Sequence, residues 1–318
     1  MKISVNFNIE VNSLKKVIRI ALVLFIAFLT GCKYNTPINE NKDNKPKKEI
    51  YLEIMTTNNI VYGMVKDIVQ EKHYVDYMFR NESDQWNFKF TEDSLGNVSK
   101  QDLFFYAGSG FEPWAMQFIE NLKKDSVGVV NISRGTSLIS YKKEVKYKDT
   151  ILKDNPYYFI NLENYKINML NIKNAIEEKD PENRDYYEKN FSQALKQIDV
   201  QGKKLSEISQ KTKDYIYLVN GEDLDYFIKY NKFNSLNLAN YNSLTKAQQD
   251  EKETFEKKLN DAKGVIFLYK AEGELKLNEA IINKYKMKVA NVVAYKDEIS
   301  YNQIIKMDVE NLEAALGK

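Results

Sequence analysis

Residues 180–210 constrain the fold more than any other stretch. Asp180-Pro181-Glu182-Asn183 reads as a helix start. It offers a carboxylate for free backbone N–H groups, a proline where a missing N–H costs nothing, and a glutamate at the positive end of the dipole. Apolar residues then recur at Tyr187, Phe191, Leu195, Ile198, Leu205 and Ile208, interrupted only by Gly202. That three-and-four spacing marks one buried helical face. As a single helix the stretch reaches about 45 Å, longer than most globular helices. Strand-then-helix patterns run on both sides of it. The sequence therefore predicts an α/β protein: two βα lobes with parallel-type sheets, joined by one long helix, with a cleft between the lobes.

Strands are expected at 50–56, 75–79, 102–107 and 128–132 before this strut, and at 215–219, 265–269 and 289–293 after it. Helices are expected at 60–69, 112–122 and 162–178, then at 223–230, 245–262, on to Tyr285, and at 301–316. Thr57-Asn58-Asn59 is a capping cluster for the first of these. Ligands of parallel sheets sit beyond the strands' carboxyl ends, which here line the cleft.

The N-terminus reads as an address. Lys15, Lys16 and Arg19 precede an apolar run over 20–29 that ends at Leu29-Thr30-Gly31-Cys32. A charged segment, a short apolar segment and small residues at a cut define a secretory signal, and the run is too short for a comfortable membrane span. Leu29-Thr30-Gly31-Cys32 resembles the lipobox of bacterial lipoproteins, which implies that cleavage leaves Cys32 as a lipid-bearing first residue. Residues 33–48 are rich in Asn, Lys and Pro and read as a flexible tether. The organisation expected is thus a signal peptide at 1–31, a lipidated Cys32 and tether at 32–48, a first lobe at 49–179, the helix at 180–210 and a second lobe at 211–318. The chain is expected outside the cytoplasm, anchored to the cell membrane by diacyl chains on Cys32. An ordinary signal sequence with an incidental cysteine is the alternative.

Composition removes several function classes. The chain has 318 residues, one His and one Cys, so it cannot build a two-imidazole site, a thiolate cage or a Cys–His pair. The formal net charge is +2, of which the segment before Cys32 holds +3 (Lys2, Lys15, Lys16 and Arg19 against Glu10), leaving about −1 for the rest. No surface tuned to nucleic acid follows from that. His73, between Lys72 and Tyr74, is expected on a surface loop. Asp223 and Asp225 are two apart and would face different sides of a helix, so no paired-carboxylate chemistry is read there and no enzyme is expected.

Asp102-Leu103-Phe104-Phe105-Tyr106 followed by Gly108-Ser109-Gly110-Phe111-Glu112-Pro113-Trp114 resembles the signature of the zinc/manganese-type substrate-binding lipoproteins of bacterial ABC importers. Met55-Thr56-Thr57 resembles that family's first strand, Asp180-Pro181-Glu182-Asn183 with Tyr187 and Asn190 its inter-lobe helix, and Leu29-Thr30-Gly31-Cys32 a lipobox. The resemblance implies an ABC permease as partner and a transition metal held in the cleft by imidazoles and carboxylates. Aligned by their neighbours, those ligand positions fall on Trp86, on Tyr157 in Asn155-Pro156-Tyr157-Tyr158-Phe159, on Gly221 beside Glu222, and near Val293 or Ala294 with Asp297 and Glu298 following. A second carboxylate position falls on Tyr269. Every imidazole is gone, so this is a divergent member for which the usual zinc or manganese cage is not expected.

Trp86, Tyr157, Glu222, Tyr269 and Asp297 are the candidate cleft residues, with Glu222, Asp297 and Glu298 the possible metal donors. Three occupancies fit them. One is a small solute on an aromatic lining with Tyr158 and Tyr295: an organic cation, a flat molecule or a metal–chelator complex. Another is a divalent metal held by oxygen donors. The last is no transported ligand at all, the fold serving as a surface adhesion or interaction lipoprotein.

Overall fold

The computed structural model describes residues 49–122, 127–147 and 150–317; the signal, the tether and Cys32 lie outside them. Residues 50–318 form one unit. Strand β1 (Glu53–Asn58) leads into helix α1 (Asn59–Val69), capped by the Asn58 side chain, which accepts from the N–H groups of Ile60 and Val61. Strand β2 (Tyr74–Phe79) follows, then the short helices α2 (Glu82–Asn87) and α3 (Glu92–Ser99), β3 (Leu103–Tyr106), α4 (Ala115–Asn121) and β4 (Gly128–Asn131). The four strands form one parallel sheet in the order β2-β1-β3-β4. An antiparallel hairpin, β5 (Ser140–Tyr147) and β6 (Thr150–Asp154), precedes α5 (Leu162–Lys179).

The strut is α6 (Arg184–Lys211), 28 residues and about 42 Å long. Beyond it come β7 (Tyr215–Val219), α7 (Asp225–Tyr230), β8 (Ser235–Asn237), α8 (Leu238–Asn242), α9 (Gln249–Asp261), β9 (Gly264–Tyr269), α10 (Glu272–Leu277), α11 (Glu279–Lys284), β10 (Lys288–Asn291) and α12 (Tyr301–Ala315). The second parallel sheet runs β10-β9-β7-β8. Among the described residues no helix is long and apolar enough to cross a membrane.

Alternation along the strands sorts the core. In β3, Leu103 and Phe105 join a large cluster that also holds Ile60, Ile172, Tyr187, Ile198 and Ile304, while Phe104 joins an outer cluster with Trp114 and Phe118. In β9, Ile266 and Leu268 face that same large cluster, and Val265 and Phe267 an outer one. Successive side chains of a strand point to opposite faces, so each sheet lays one face on the helices around the strut and the other on its own outer helices. One continuous apolar core therefore runs from the first sheet through α6 to the second.

Several expectations shift. The strut begins at Arg184 rather than Asp180, because Pro181–Asn183 forms a 3₁₀ turn. The Asp180 carboxylate points inward to the Asn183 amide and the Tyr187 hydroxyl instead of capping the helix. His73 is not on the surface: it is 3% exposed, with Nδ1 accepting from the Leu52 N–H at 3.3 Å and Nε2 2.6 Å from the Tyr187 hydroxyl. The helix expected from 112 starts at Ala115, since Glu112 is held in the preceding turn, and the helix expected to reach Tyr285 breaks at Asn278 into α10 and α11. The β5–β6 hairpin, α2, α3, β8 and α8 were not expected.

Candidate functional site

The mouth between the lobes is built on a buried carboxylate. Glu112 accepts the Thr57 hydroxyl at 2.6 Å and the Ala107 N–H at 2.9 Å on Oε1, and the Gly108 N–H at 2.8 Å on Oε2. Burial pushes its carboxyl up to about 7 against those three donated bonds. Gly108 must be glycine: its φ is +74°, and a Cβ there would lie 2.3 Å from Asn131 Oδ1. The turn thus fixed aims Phe111 inward, fully buried, with its ring 5.9 Å from Tyr157, 5.2 Å from Phe159 and 5.6 Å from Tyr295. The Phe111 carbonyl accepts from Gln85 Nε2 at 3.0 Å, and the Gln85 carbonyl from Trp114 Nε1 at 2.8 Å. The Glu-Pro-Trp turn so pins α2 over the cleft.

The second lobe meets this wall through Asn155. Its Nδ2 donates to the Glu222 carbonyl at 2.6 Å, its Oδ1 accepts from the Tyr157 N–H, and its carbonyl accepts from the Tyr226 hydroxyl. Tyr157 then donates its hydroxyl to Glu82 Oε1 at 2.7 Å, and the Glu82 N–H donates to Asp297 Oδ1 at 3.1 Å. Asp223 pairs with Lys270 a short distance away. Burial raises the Glu82 carboxyl; the Tyr157 hydrogen bond opposes that, and Asp223 and Asp297 reinforce it. Tyr157 and Tyr141 are both driven well above the usual phenol range, by burial first and then by Glu82 and Asp223, so both stay neutral.

Of the residues picked from sequence, Tyr157 and Asp297 come together here, joined through Glu82. Glu222 lies at the edge, its carboxylate accepting the Lys142 N–H at 2.9 Å. Trp86 is half-buried on α2, one turn beyond Glu82, and on that helix it is Glu82 that meets Tyr157. Tyr269 packs its ring into the outer cluster of the second lobe. Glu298 lines a groove with Asn59, Tyr62 and Asp67. Gly221 has φ +114° and nothing within 4 Å of an added Cβ, so backbone conformation rather than crowding calls for glycine there. Glu82, Phe111, Tyr141 and the Asp223–Lys270 pair escaped the sequence reading. The only signal for Glu82 was its place four residues before Trp86, on the same helical face.

The loop at 292–300 closes the mouth. Tyr295 donates its hydroxyl to Asn59 Oδ1 at 2.6 Å, and Asn59 Nδ2 donates to the carbonyls of Ile299 (2.8 Å) and Lys296 (3.3 Å). Asn59 belongs to the first lobe, so this loop of the second lobe is sewn across the gap. A water-sized cavity of about 10 Å³, lined by Gly221, Asp223, Lys270 and Glu274, remains at the carboxyl ends of β7 and β9. Among the described residues no group of three or more His, Cys, Asp or Glu is arranged to hold a metal ion.

Comparison with known proteins agrees with this architecture. The family model described as ZnuA, the periplasmic zinc-uptake complex component A, matches residues 54–315. The chain is 28% identical over 208 residues to a metal ABC transporter substrate-binding lipoprotein of Lactococcus lactis subsp. lactis (strain IL1403), covering 62% of this chain and 61% of that one. It is 24% identical over 323 residues to the metal ABC transporter substrate-binding lipoprotein ScbA of Streptococcus cristatus, covering 94% and 99%. The matched region is thus about three fifths of the first relative's length and nearly all of the second's. Among solved structures it superposes on the metal-dependent lipoprotein YcdH of Bacillus subtilis with a TM-score of 0.66 at 20% identity, covering 83% and 97%. The Zn(II)-bound ZnuA-like domain of Streptococcus pneumoniae AdcA gives 0.65 at 13% identity, covering 85% and 100%. These two show the fold. With its two parallel sheets bolted to one long helix and a family match from the first strand to the last helix, the chain belongs to the periplasmic zinc-uptake component A family.

Proposed function

We propose that this protein is the extracytoplasmic, lipid-anchored solute-binding component of a metal-type ABC importer, working with a membrane permease. Its solute on this reading is a cation in a form other than a bare transition metal: an organic cation, or a metal already wrapped in a chelator. The supporting observation is the convergence of Glu82 and Asp223 on the neutral rings of Tyr157 and Tyr141, with Asp297 beside Glu82 and Lys270 as the ammonium paired with Asp223. Excess negative charge beside aromatic faces suits a soft, weakly hydrated cation. The chain's single imidazole is engaged with Leu52 and Tyr187 away from the mouth, and neutral imidazole is the donor on which zinc sites rely. The family is one of substrate-binding proteins, and the reading is of a binder rather than a catalyst.

Native mass spectrometry of the protein from its own cells tests this without guessing the solute. A bound small mass, lost in Glu82→Gln, supports the reading. A ligand present at about a hundred times its dissociation constant should add roughly 2.7 kcal/mol of stability. A stoichiometric bare metal lost on Asp297→Ala would replace the proposed solute with a metal ion on oxygen donors. One observation favours a second reading, an adhesion or interaction lipoprotein with no transported ligand: Phe111 packs against both Tyr157 and Tyr295 across the mouth. Absence of any bound mass, together with no shift across metals, chelates and organic cations, would favour it.

A further inference from the structure

The chain's only histidine is buried where the first lobe meets the strut, and nothing in the binding function uses it. Its surroundings fix the direction of every hydrogen bond. The Leu52 backbone N–H can only donate, so His73 Nδ1, at 3.3 Å, must accept, and the ring proton sits on Nε2. Nε2 therefore donates to the Tyr187 oxygen at 2.6 Å, and the Tyr187 hydrogen goes to the Asp180 carboxylate. Asp180 also accepts both contacts of the Asn183 amide, at 2.8 and 3.0 Å. The His73 side chain is 0% exposed and that of Asp180 1%. The chain of bonds ties together the entry to β1, the loop before β2, the 3₁₀ turn and the first turn of α6, elements more than a hundred residues apart in sequence. The Leu52 carbonyl meanwhile accepts the Tyr74 N–H at 3.1 Å, which starts the β1–β2 ladder.

We propose that His73, Tyr187 and Asp180 form an acid-released latch that fastens the strut to the first lobe. One proton added at Nδ1 sets two donors, imidazolium N–H and Leu52 N–H, against each other and places a charge in a sealed site. A buried unsatisfied donor is among the costlier defects a fold can carry. The groups facing the ring are few. Asp180, and Asp102 from the turn before β3, favour the proton, as does the Lys72 carbonyl, whereas the Lys72 ammonium opposes it. Tyr51 presents an edge 6.4 Å away and Tyr186 packs on Tyr187 at 5.7 Å. Burial outweighs the rest and holds the imidazole below its ordinary value of 6.5. The ring thus stays neutral through neutral pH, and acid removes the Leu52 contact first.

With one histidine in the chain, the test is clean. Ring C–H resonances of His73 and amide hydrogen exchange are followed on the full chain from about pH 7.5 to about pH 5. The latch predicts a midpoint below that of a free imidazole. It also predicts an acid-induced loss of protection of up to about tenfold per pH unit between the free-imidazole value of 6.5 and that midpoint, levelling off below it, after correction for intrinsic exchange. That loss should be confined to Leu52, Tyr74 and the first turn of α6, with the β7–β9 ladder unchanged. His73→Asn keeps an acceptor for Leu52 and cannot take the proton, so its protection should be flat with pH. Tyr187→Phe should raise exchange at the α6 start already at neutral pH. A His73 midpoint at or above the free value, an identical pH profile in His73→Asn, or a loss spread evenly over both sheets would overturn the proposal.

Discussion

Asn59 offers the sharpest test of how the mouth is held. Asn58 does the capping of α1, which leaves Asn59, 5% exposed, to reach across the gap. All three of its side-chain contacts go to the 292–300 loop, two of them under 2.9 Å. The loop's entry is held separately, by the Val293 N–H donating to the buried Asp308 carboxylate at 3.1 Å. Asn59→Ala removes the three contacts and leaves a hydroxyl and two carbonyls without them. Each net hydrogen bond contributes about 0.5–1.5 kcal/mol, so the loss should be about 3 kcal/mol. Urea unfolding at neutral pH measures it, and a double-mutant cycle with Tyr295→Phe isolates the shared bond, with an expected coupling of about 1 kcal/mol. In the Asn59→Ala variant, amides of 294–299 should lose hydrogen-exchange protection while those of β9 keep theirs. A loss under about 1 kcal/mol with no coupling to Tyr295 would refute the claim that this residue sews the mouth shut.

Three further outcomes follow from the buried charges. Glu112→Ala should cost about 3–5 kcal/mol in denaturant unfolding, because the Thr57 hydroxyl and the N–H groups of Ala107 and Gly108 lose their only acceptor in the turn. The raised Glu112 carboxyl binds its proton more tightly folded than unfolded, so its contribution is complete below about 4.5 and is lost as pH climbs through about 7; that part of the pH–stability profile should vanish in Glu112→Gln, whereas the His73 part, lost on acidification below 6.5, should remain. Lys173 is 6% exposed and bridges Glu177 of α5 to Glu188 of the strut, so Lys173→Met should cost about 3 kcal/mol by thermal unfolding, part of which Glu177→Gln restores.

Where a single period or a local cap dictated structure, the sequence was legible. The strand at 215–219 and the cap that Asn58 supplies within Thr57-Asn58-Asn59 are local statements, and both needed only neighbours to be read. The parallel sheets followed from alternation of strand and helix. The misplaced residues failed for reasons that lie at long range. His73 looked like a loop residue because Tyr187, the partner that makes its burial tolerable, lies 114 positions away. Tyr269 was read into the cleft by alignment, yet it has the parity of Val265 and Phe267, which face the outer cluster, so period two already assigned it to the wrong side for ligand binding. The β5–β6 hairpin was hidden because Lys142, Lys143, Glu144 and Lys146 interrupt any apolar alternation on its exposed strands. Glu82 could not be found by looking for a replaced imidazole, since it stands one turn from the aligned position rather than on it.

The same geometry decides how this cleft can open. One apolar cluster runs through both inner sheet faces and α6, so swinging the lobes apart would bare part of it to water. At about 25 cal/mol per Å², each 100 Å² of apolar surface exposed costs about 2.5 kcal/mol. Releasing the 292–300 loop breaks the Asn59 contacts and the Glu82–Asp297 bond, a few kcal/mol in all, and turning Tyr157 away from Glu82 adds one more hydrogen bond. Val292 and Ala294 of the loop and the rings of Tyr157 and Tyr295 pack on the edge of the shared core, so these steps disturb that edge and leave the two sheets together. A solute that replaces the Tyr157 proton at Glu82 recovers part of that cost on arrival, whereas it recovers nothing from an exposed Ile198 or Ile304. Access to the mouth therefore runs through the loop and the tyrosine, with the two sheets held nearly fixed on their strut.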